Sequence, residues 1–232
     1  MKKTKILLLM MMIIVVSSCA VHTEVKIKKT HKNEPGILRI GFDIDDTILF
    51  SKVNFEKAPQ SLDNHDGVDF SWINKHDTEY STLIQPMADL ILFYRNQKHD
   101  IFFITARPET EGETLSALLT ELLGFSIETG KNLFFDPKAK SDITGKRHTT
   151  KHLRIKELEL DMFVGDSDTD IIAGLKAGVH TVRVLRDPTS VEAYSRNYFG
   201  DTKAGNPIDM EWFQKFVLTG VGPYGETILP LY

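Results

Sequence analysis

The sequence predicts an α/β fold, a doubly wound parallel sheet with a small cap insertion after its first strand. Two observations carry that prediction. Short apolar runs alternate with stretches of helical periodicity along residues 37–185, the pattern of βαβ units. The chain has 232 residues, 41% hydrophobic and 26% charged, enough for one ordinary globular domain with additions and far too apolar for a disordered chain. A third feature, acidic residues directly after the predicted strands, shows where chemistry would sit, because ligands of open α/β sheets bind beyond the carboxyl ends of the strands.

The amino-terminal segment stands apart from this pattern. Lys2, Lys3 and Lys5 precede an unbroken apolar run of eleven residues, Ile6 to Val16, and then Ser17-Ser18-Cys19. Spanning a bilayer takes about 20 residues, so the run suits a signal peptide. Cys19 is the single cysteine, so no disulfide supports the fold. Its position resembles a bacterial lipobox, which implies residues 1–18 as a lipoprotein signal peptide and lipidation at Cys19. A plain secretory signal is the alternative. Residues 19–36 then read as the acylated cysteine and a polar, lysine-rich tether closed by Pro35-Gly36. Because Ala20 rather than Asp follows the cysteine, analogy with lipoprotein sorting gives an extracytoplasmic address at the outer membrane, facing the periplasm.

From Ile37 the predicted strands are Ile37–Ile44, Asp100–Thr105, Asn132–Phe135, Met162–Gly165 and His180–Leu185, with a last apolar run at Thr227–Leu231. Helical periodicity covers Leu83–Gln97, Glu109–Leu123, Thr150–Leu160 and Thr169–Ala177. Leu115, Leu118, Leu119, Leu122 and Leu123 form one stripe, read as core packing. Two gaps are long, 51–80 and 186–225; the first is read as the cap insertion. The balance of 28 Lys plus Arg against 32 Asp plus Glu, a net charge of −4, without a basic block interleaved with aromatics, argues against a nucleic-acid polymer as partner.

Three segments carry chemistry. After the first strand, Asp43-Ile44-Asp45-Asp46-Thr47 places Asp43 and Asp45 on one face, and two adjacent carboxylates require a proton or a cation between them. After the second, Thr105-Ala106-Arg107-Pro108 offers a hydroxyl and free backbone N–H groups to an anion. After the fourth, Gly165-Asp166-Ser167-Asp168-Thr169-Asp170 brings further acids opposite Asp43, which suggests an oxygen-lined site for a hard cation, with Mg²⁺ the best fit. Taken singly, each segment also suits a capped turn.

Together they resemble the haloacid-dehalogenase (HAD) phosphohydrolase motifs, with Lys151, fifteen residues before Asp166, as the lysine those motifs require. FDIDDTILFS, FFITAR, GDSDTDI and the carboxyl-terminal Pro223-Tyr224-Gly225-Glu226 resemble the class B acid phosphatases. The resemblance covers nearly all of residues 37–232, although Ala106 stands where that class usually has Gly and residues 186–222 are longer. It implies a Mg²⁺-dependent phosphatase acting on phosphate monoesters such as nucleotides and aryl phosphates, assembled as a homotetramer. It further implies Asp43 as nucleophile and Asp45 as general acid/base, with Asp43, Asp45 (through its carbonyl) and Asp166 as metal ligands. Thr105, Ala106 and Lys151 would hold phosphate, Asp170 would orient Lys151 or a metal-bound water, and Phe55, Trp72 and Tyr194 would form a hydrophobic pocket. A phosphotransferase using alcohol acceptors and an inactive surface-binding lipoprotein are the competing readings.

Overall fold

The computed structural model describes residues 36–231 apart from 62–66, 141, 143–144, 146, 188–189 and 191–209. Cys19 and Tyr194 therefore lie outside the described residues. Strand β1 (Arg39–Phe42) runs into β2 (Leu49–Phe50), then α1 (Lys52–Lys57), α2 (Phe70–Tyr80) and β3 (Thr82–Leu83). Next come α3 (Gln85–Asn96), β4 (Asp100–Thr105), α4 (Gly112–Leu123), β5 (Leu133–Phe135) and the two-residue strands β6 (Ala139–Lys140) and β7 (Arg147–His148). The chain closes with α5 (Lys151–Glu157), β8 (Met162–Gly165), α6 (Asp168–Ala177), β9 (His180–Val184), α7 (Met210–Thr219) and β10 (Thr227–Leu229).

Among the described residues six strands form the central sheet in the order β10-β9-β8-β1-β4-β5, every pairing parallel. The chain builds outward from β1 in one direction through β4 and β5, then returns to β1's other edge through β8, β9 and β10. That reversal puts the switch point of the doubly wound sheet at β1, where a crevice opens at the carboxyl ends. The strands read as continuous apolar runs because both faces are covered: Ile40, Phe42, Ile101, Phe103, Leu133 and Val164 share one core with Leu115, Leu118, Leu119 and Leu123 of α4, while Leu122, expected in the same stripe, is exposed. Phe102, Ile104, Phe163 and Ile155 fill a second core with α5 and α6.

The interval between the first strand and α3 is organised by β2 and β3, which pair antiparallel with Leu49 opposite Leu83. Helices α1 and α2 are inserted between them as the predicted cap. Asp69 starts α2 by accepting the N–H groups of Ser71 (2.9 Å) and Trp72 (3.2 Å), an N-cap that satisfies two otherwise orphaned donors. The buried face of α2 is Phe70, Ile73, Asn74 and Asp77. Half of it is polar, which is why periodicity did not mark a helix there.

Candidate active site

The site residues leave the ends of strands or open the helices around the switch point. Asp43 follows β1, and its N–H continues the ladder to Val164 O at 2.8 Å. Ile44 turns into the core and is fully buried, so Asp43 and Asp45 flank it on the crevice side. Asp166 follows β8, the neighbour of β1. The chain then enters α6 through a capping box in which Ser167 and Asp170 satisfy each other's backbone donors. Gly165 is required here: a Cβ at that position would lie 2.5 Å from the Asp170 Cβ and 2.8 Å from its Cγ. Lys151 comes from the first turn of α5 and reaches back to β1.

These four residues converge. Lys151 Nζ lies 2.5 Å from Asp43 Oδ1 and 2.7 Å from Asp170 Oδ1, with all three groups buried. The other Asp170 oxygen accepts the Ser167 N–H (3.2 Å) and hydroxyl (2.5 Å), so Asp170 holds the lysine rather than standing free to meet a ligand. Asp166 Oδ1 accepts from the Thr47 hydroxyl at 3.4 Å, and its Oδ2 accepts from Arg186 Nε.

The electrostatics follow from this crowding. Burial would depress the Lys151 ammonium, but the carboxylates of Asp170 and Asp43 outweigh it and hold the lysine above its ordinary value. Asp170, gripped by Lys151 and Ser167, stays below the ordinary carboxyl range despite its burial. Asp43 moves the other way: burial raises it, and the Asp170 charge beside it raises it further. Lys151 pulls Asp43 down, but not enough to offset burial and the neighbouring carboxylates. Asp46, in the left-handed region at φ 53°, is pushed up to about 7 by burial and by the Asp166 charge, against the pull of Arg186 and the Ser190 hydroxyl.

Asp43, Asp166 and Asp170 each present an oxygen, all within 4.8 Å of one another. An all-oxygen set that repels itself fits a hard divalent cation. Asp43 and Asp166 face each other across neighbouring strands; Asp43 meets Lys151 through Oδ1 alone, whereas Asp170 has both oxygens committed, one to Lys151 and one to Ser167, so the first two are the carboxylates that suit the ion.

A cavity of about 810 Å³ opens above this cluster, lined by Asp43, Asp45, Ala106, Lys151 and Asp166. Thr105 is buried beneath it, where its Oγ1 accepts the Arg107 N–H at 3.2 Å. Phe55 reaches the cavity wall, joined by Val68 and Phe70. Trp72 is turned elsewhere, stacked on His76 with ring centroids 4.1 Å apart and on Tyr80 at 5.7 Å.

Sequence reasoning missed the arginines. Arg107 grips Asp45 through two bonds, Nε to Oδ2 at 2.9 Å and Nη2 to Oδ1 at 2.5 Å. Arg186 holds Asp166. Arg183, 1% exposed, binds Asp168 Oδ1 and Glu226 Oε1, each at 2.7 Å, and the Asp166 carbonyl at 3.3 Å. Arg107 stands inside a segment already singled out, and its place directly after a strand end was the available signal. Arg183 alternates with inward Val182 and Val184 in a strand next to the site, a weaker one.

Buried carboxylates and a lysine at the switch point of a parallel sheet, with a cap inserted after the first strand, define a HAD-type hydrolase. A family model described as the HAD superfamily, subfamily IIIB (acid phosphatase), matches residues 13–192, and the chain belongs to that family of phosphatases. The class B acid phosphatase of Xenorhabdus bovienii is 29% identical over 171 residues, covering 71% of this chain and 69% of the relative. That of Klebsiella pneumoniae is 32% identical over 160 residues, covering 66% and 65%. A crystal structure of a predicted phosphatase from Clostridium acetobutylicum is similar with a TM-score of 0.42 at 14% identity, covering 78% of this chain and 99% of that one.

Proposed function

We propose that the protein is a Mg²⁺-dependent acid phosphatase that hydrolyses organic phosphate monoesters, nucleotides and aryl phosphates among them, through an aspartyl-phosphate on Asp43. The observation that carries this reading is the Lys151 bridge, 2.5 Å to Asp43 and 2.7 Å to Asp170. It fixes one carboxylate at the floor of the cavity with an ammonium ready for phosphoryl oxygens.

In the first half-reaction an Asp43 oxygen attacks phosphorus in line. A bond from Asp43 to phosphorus forms as the ester P–O bond breaks, and Asp45 gives its proton to the departing alkoxide. In the second, Asp45 takes a proton from water, the water oxygen attacks phosphorus, and the Asp43–phosphorus bond breaks to release phosphate. A positioned acid/base of this kind is worth about 10²–10⁴ in rate. Lys151 and the Ala106 N–H would hold the phosphoryl oxygens, with Thr105 supporting that turn from below. The ion would be held by Asp43, the Asp45 carbonyl and Asp166; it would neutralise charge between the nucleophile and the phosphate dianion. Phe55, with Val68 and Phe70, would take the apolar part of an ester.

We place the enzyme at the outer membrane facing the periplasm, anchored by a lipid on Cys19 and assembled as a homotetramer. Mass spectrometry of Cys19 peptides and light scattering of a chain starting at Ala20 test these two points. The activity is tested by hydrolysis of a nucleoside monophosphate with and without Mg²⁺. Added alcohol acceptors report any phosphoryl transfer as alkyl phosphate. A folded, metal-loaded protein that releases no phosphate from any monoester would refute the reading.

A further inference from the structure

The cap insertion is wired to Asp45 by buried polar groups. Arg107 is 1% exposed, and the donors it does not spend on Asp45 go to α2. Nη1 donates to Asn74 Oδ1 at 3.0 Å and to Asp77 Oδ2, and Nη2 donates to Asp77 Oδ1 at 3.2 Å. Asp77 is fully buried, and its Oδ1 also accepts from the Asn54 amide of α1 (2.8 Å) and the Ser81 hydroxyl (2.6 Å). Asn54 donates in addition to Ile73 O at 2.9 Å. Asn74 closes the circuit by donating to Pro108 O (3.1 Å) and Thr110 O (2.7 Å), in the turn that carries Arg107.

Two carboxylates thus share one guanidinium. A guanidinium is a rigid planar fork, so its orientation is dictated by the better-fixed partner. Asp77 is that partner: it is completely enclosed and its carboxylate accepts from two further donors, the Asn54 amide and the Ser81 hydroxyl. Asp45 is 26% exposed at its side chain and faces the cavity. We infer that Asp77 is a positioning residue for the reaction: through Arg107 it sets where the Asp45 carboxyl meets the leaving-group oxygen, so that the docked cap governs proton delivery. The Phe55 ring of α1, 5.7 Å from the Arg107 guanidinium carbon, ties the apolar cavity wall to the same arginine. This inference rests on Asp45 being the group that protonates the leaving group.

A positioning role predicts a loss that depends on the ester. An alkoxide cannot depart without a proton, whereas p-nitrophenolate leaves unaided. The test compares kcat/KM, which reports steps through departure of the leaving group, for glycerol 2-phosphate and p-nitrophenyl phosphate in Asp77→Asn and the parent. Displacing a catalytic group by about 1 Å can cost on the order of 10²-fold. We expect Asp77→Asn to lose about 10–100-fold on glycerol 2-phosphate and less than about threefold on p-nitrophenyl phosphate, with vanadate inhibition unchanged. Asn54→Ser, which removes the outer link to Asp77 along with the bonds to Ile73 O and the Ser81 hydroxyl but leaves the Asp77–Arg107 pair in place, gives the same selectivity at smaller amplitude and carries the test should Asp77→Asn melt below the assay temperature. Equal losses on both esters, or none on either, would overturn the inference while leaving the phosphatase reading intact. A parent that hydrolyses neither ester would overturn the phosphatase reading itself.

Discussion

Glu226 is the residue through which the carboxyl-terminal segment supports the site, and its removal gives the sharpest prediction for stability. Its carboxylate is 1% exposed and accepts Arg183 Nε at 2.7 Å and the Tyr224 N–H at 2.9 Å. The surrounding turn is closed by Gly222 N–H to Glu226 O at 2.8 Å. A Cβ on Gly222 would fall 2.2 Å from the Glu226 carboxylate, so backbone encloses the acid on that side. Glu226→Ala strips from a buried arginine one of the two carboxylates it binds among the described residues, and takes away the acceptor of the part-buried Tyr224 N–H. Breaking a buried pair from one side costs about 3–5 kcal/mol. At about 2–4 °C per kcal/mol for a domain of 150–250 residues, the melting temperature should fall by roughly 10 °C. Differential scanning calorimetry measures this directly. A cycle with Arg183→Met separates the pair from the cavity: Glu226→Ala should cost about 1–3 kcal/mol less on that background, because the donor is already gone. A Glu226→Ala protein melting within about 2 °C of the parent would refute the reasoning.

Other predictions test the remaining supports. Gly165→Ala should push Asp170 off Lys151, since the added Cβ meets it at 2.5 Å; phosphatase turnover should fall at least about tenfold by the misplacement argument, seen in steady-state kinetics. Asp69→Ala should lower stability by about 1 kcal/mol through loss of the α2 cap, read from urea unfolding. The Asp69 carboxyl lies below its ordinary value because of the Ser71 hydroxyl and the Trp72 N–H. Its contribution is therefore complete above the unfolded value, about 3.9, and fades as pH falls through the lower folded one. The Asp69→Ala deficit should accordingly persist at neutral pH and shrink only below about pH 4. Divalent metal at a hundredfold excess over its Kd should stabilise the parent by about 2.7 kcal/mol; EDTA should reverse the shift, and Asp166→Asn should abolish it.

The framework of the fold is legible in the sequence because its signals are local. The core strands β1, β4, β5, β8 and β9 lie inside the apolar runs, trimmed at their ends where Ile37 precedes the sheet and Leu185 leaves it. Asp43, Lys151, Asp166 and Asp170 are legible as a group because each sits directly beyond a strand or opens a helix, positions that parallel topology forces together. The cap helices were hidden for a physical reason. Asn74 and Asp77 occupy the buried face of α2, where an apolar stripe would have announced a helix, and nothing local separates a buried aspartate from a solvated one. Their partner Arg107 lies 30 residues or more away in sequence, so only tertiary packing reveals the set. Strands β6 and β7, two residues each, carry no periodicity at all. The stacking of Trp72 on His76 and Tyr80 follows from their i, i+4, i+8 spacing, which lays three rings along one side of α2 and draws the indole away from the cavity.

In the proposed mechanism Asp43, bridged to Asp170 by Lys151, is the phosphoryl acceptor. The direct measurement is hydrolysis of p-nitrophenyl phosphate at pH 5–8 by a chain starting at Ala20, with Mg²⁺ or EDTA, alongside Asp43→Asn. The parent should release p-nitrophenol in a metal-dependent way and Asp43→Asn none above background, with both proteins folded. Equal activity in the two proteins would contradict it.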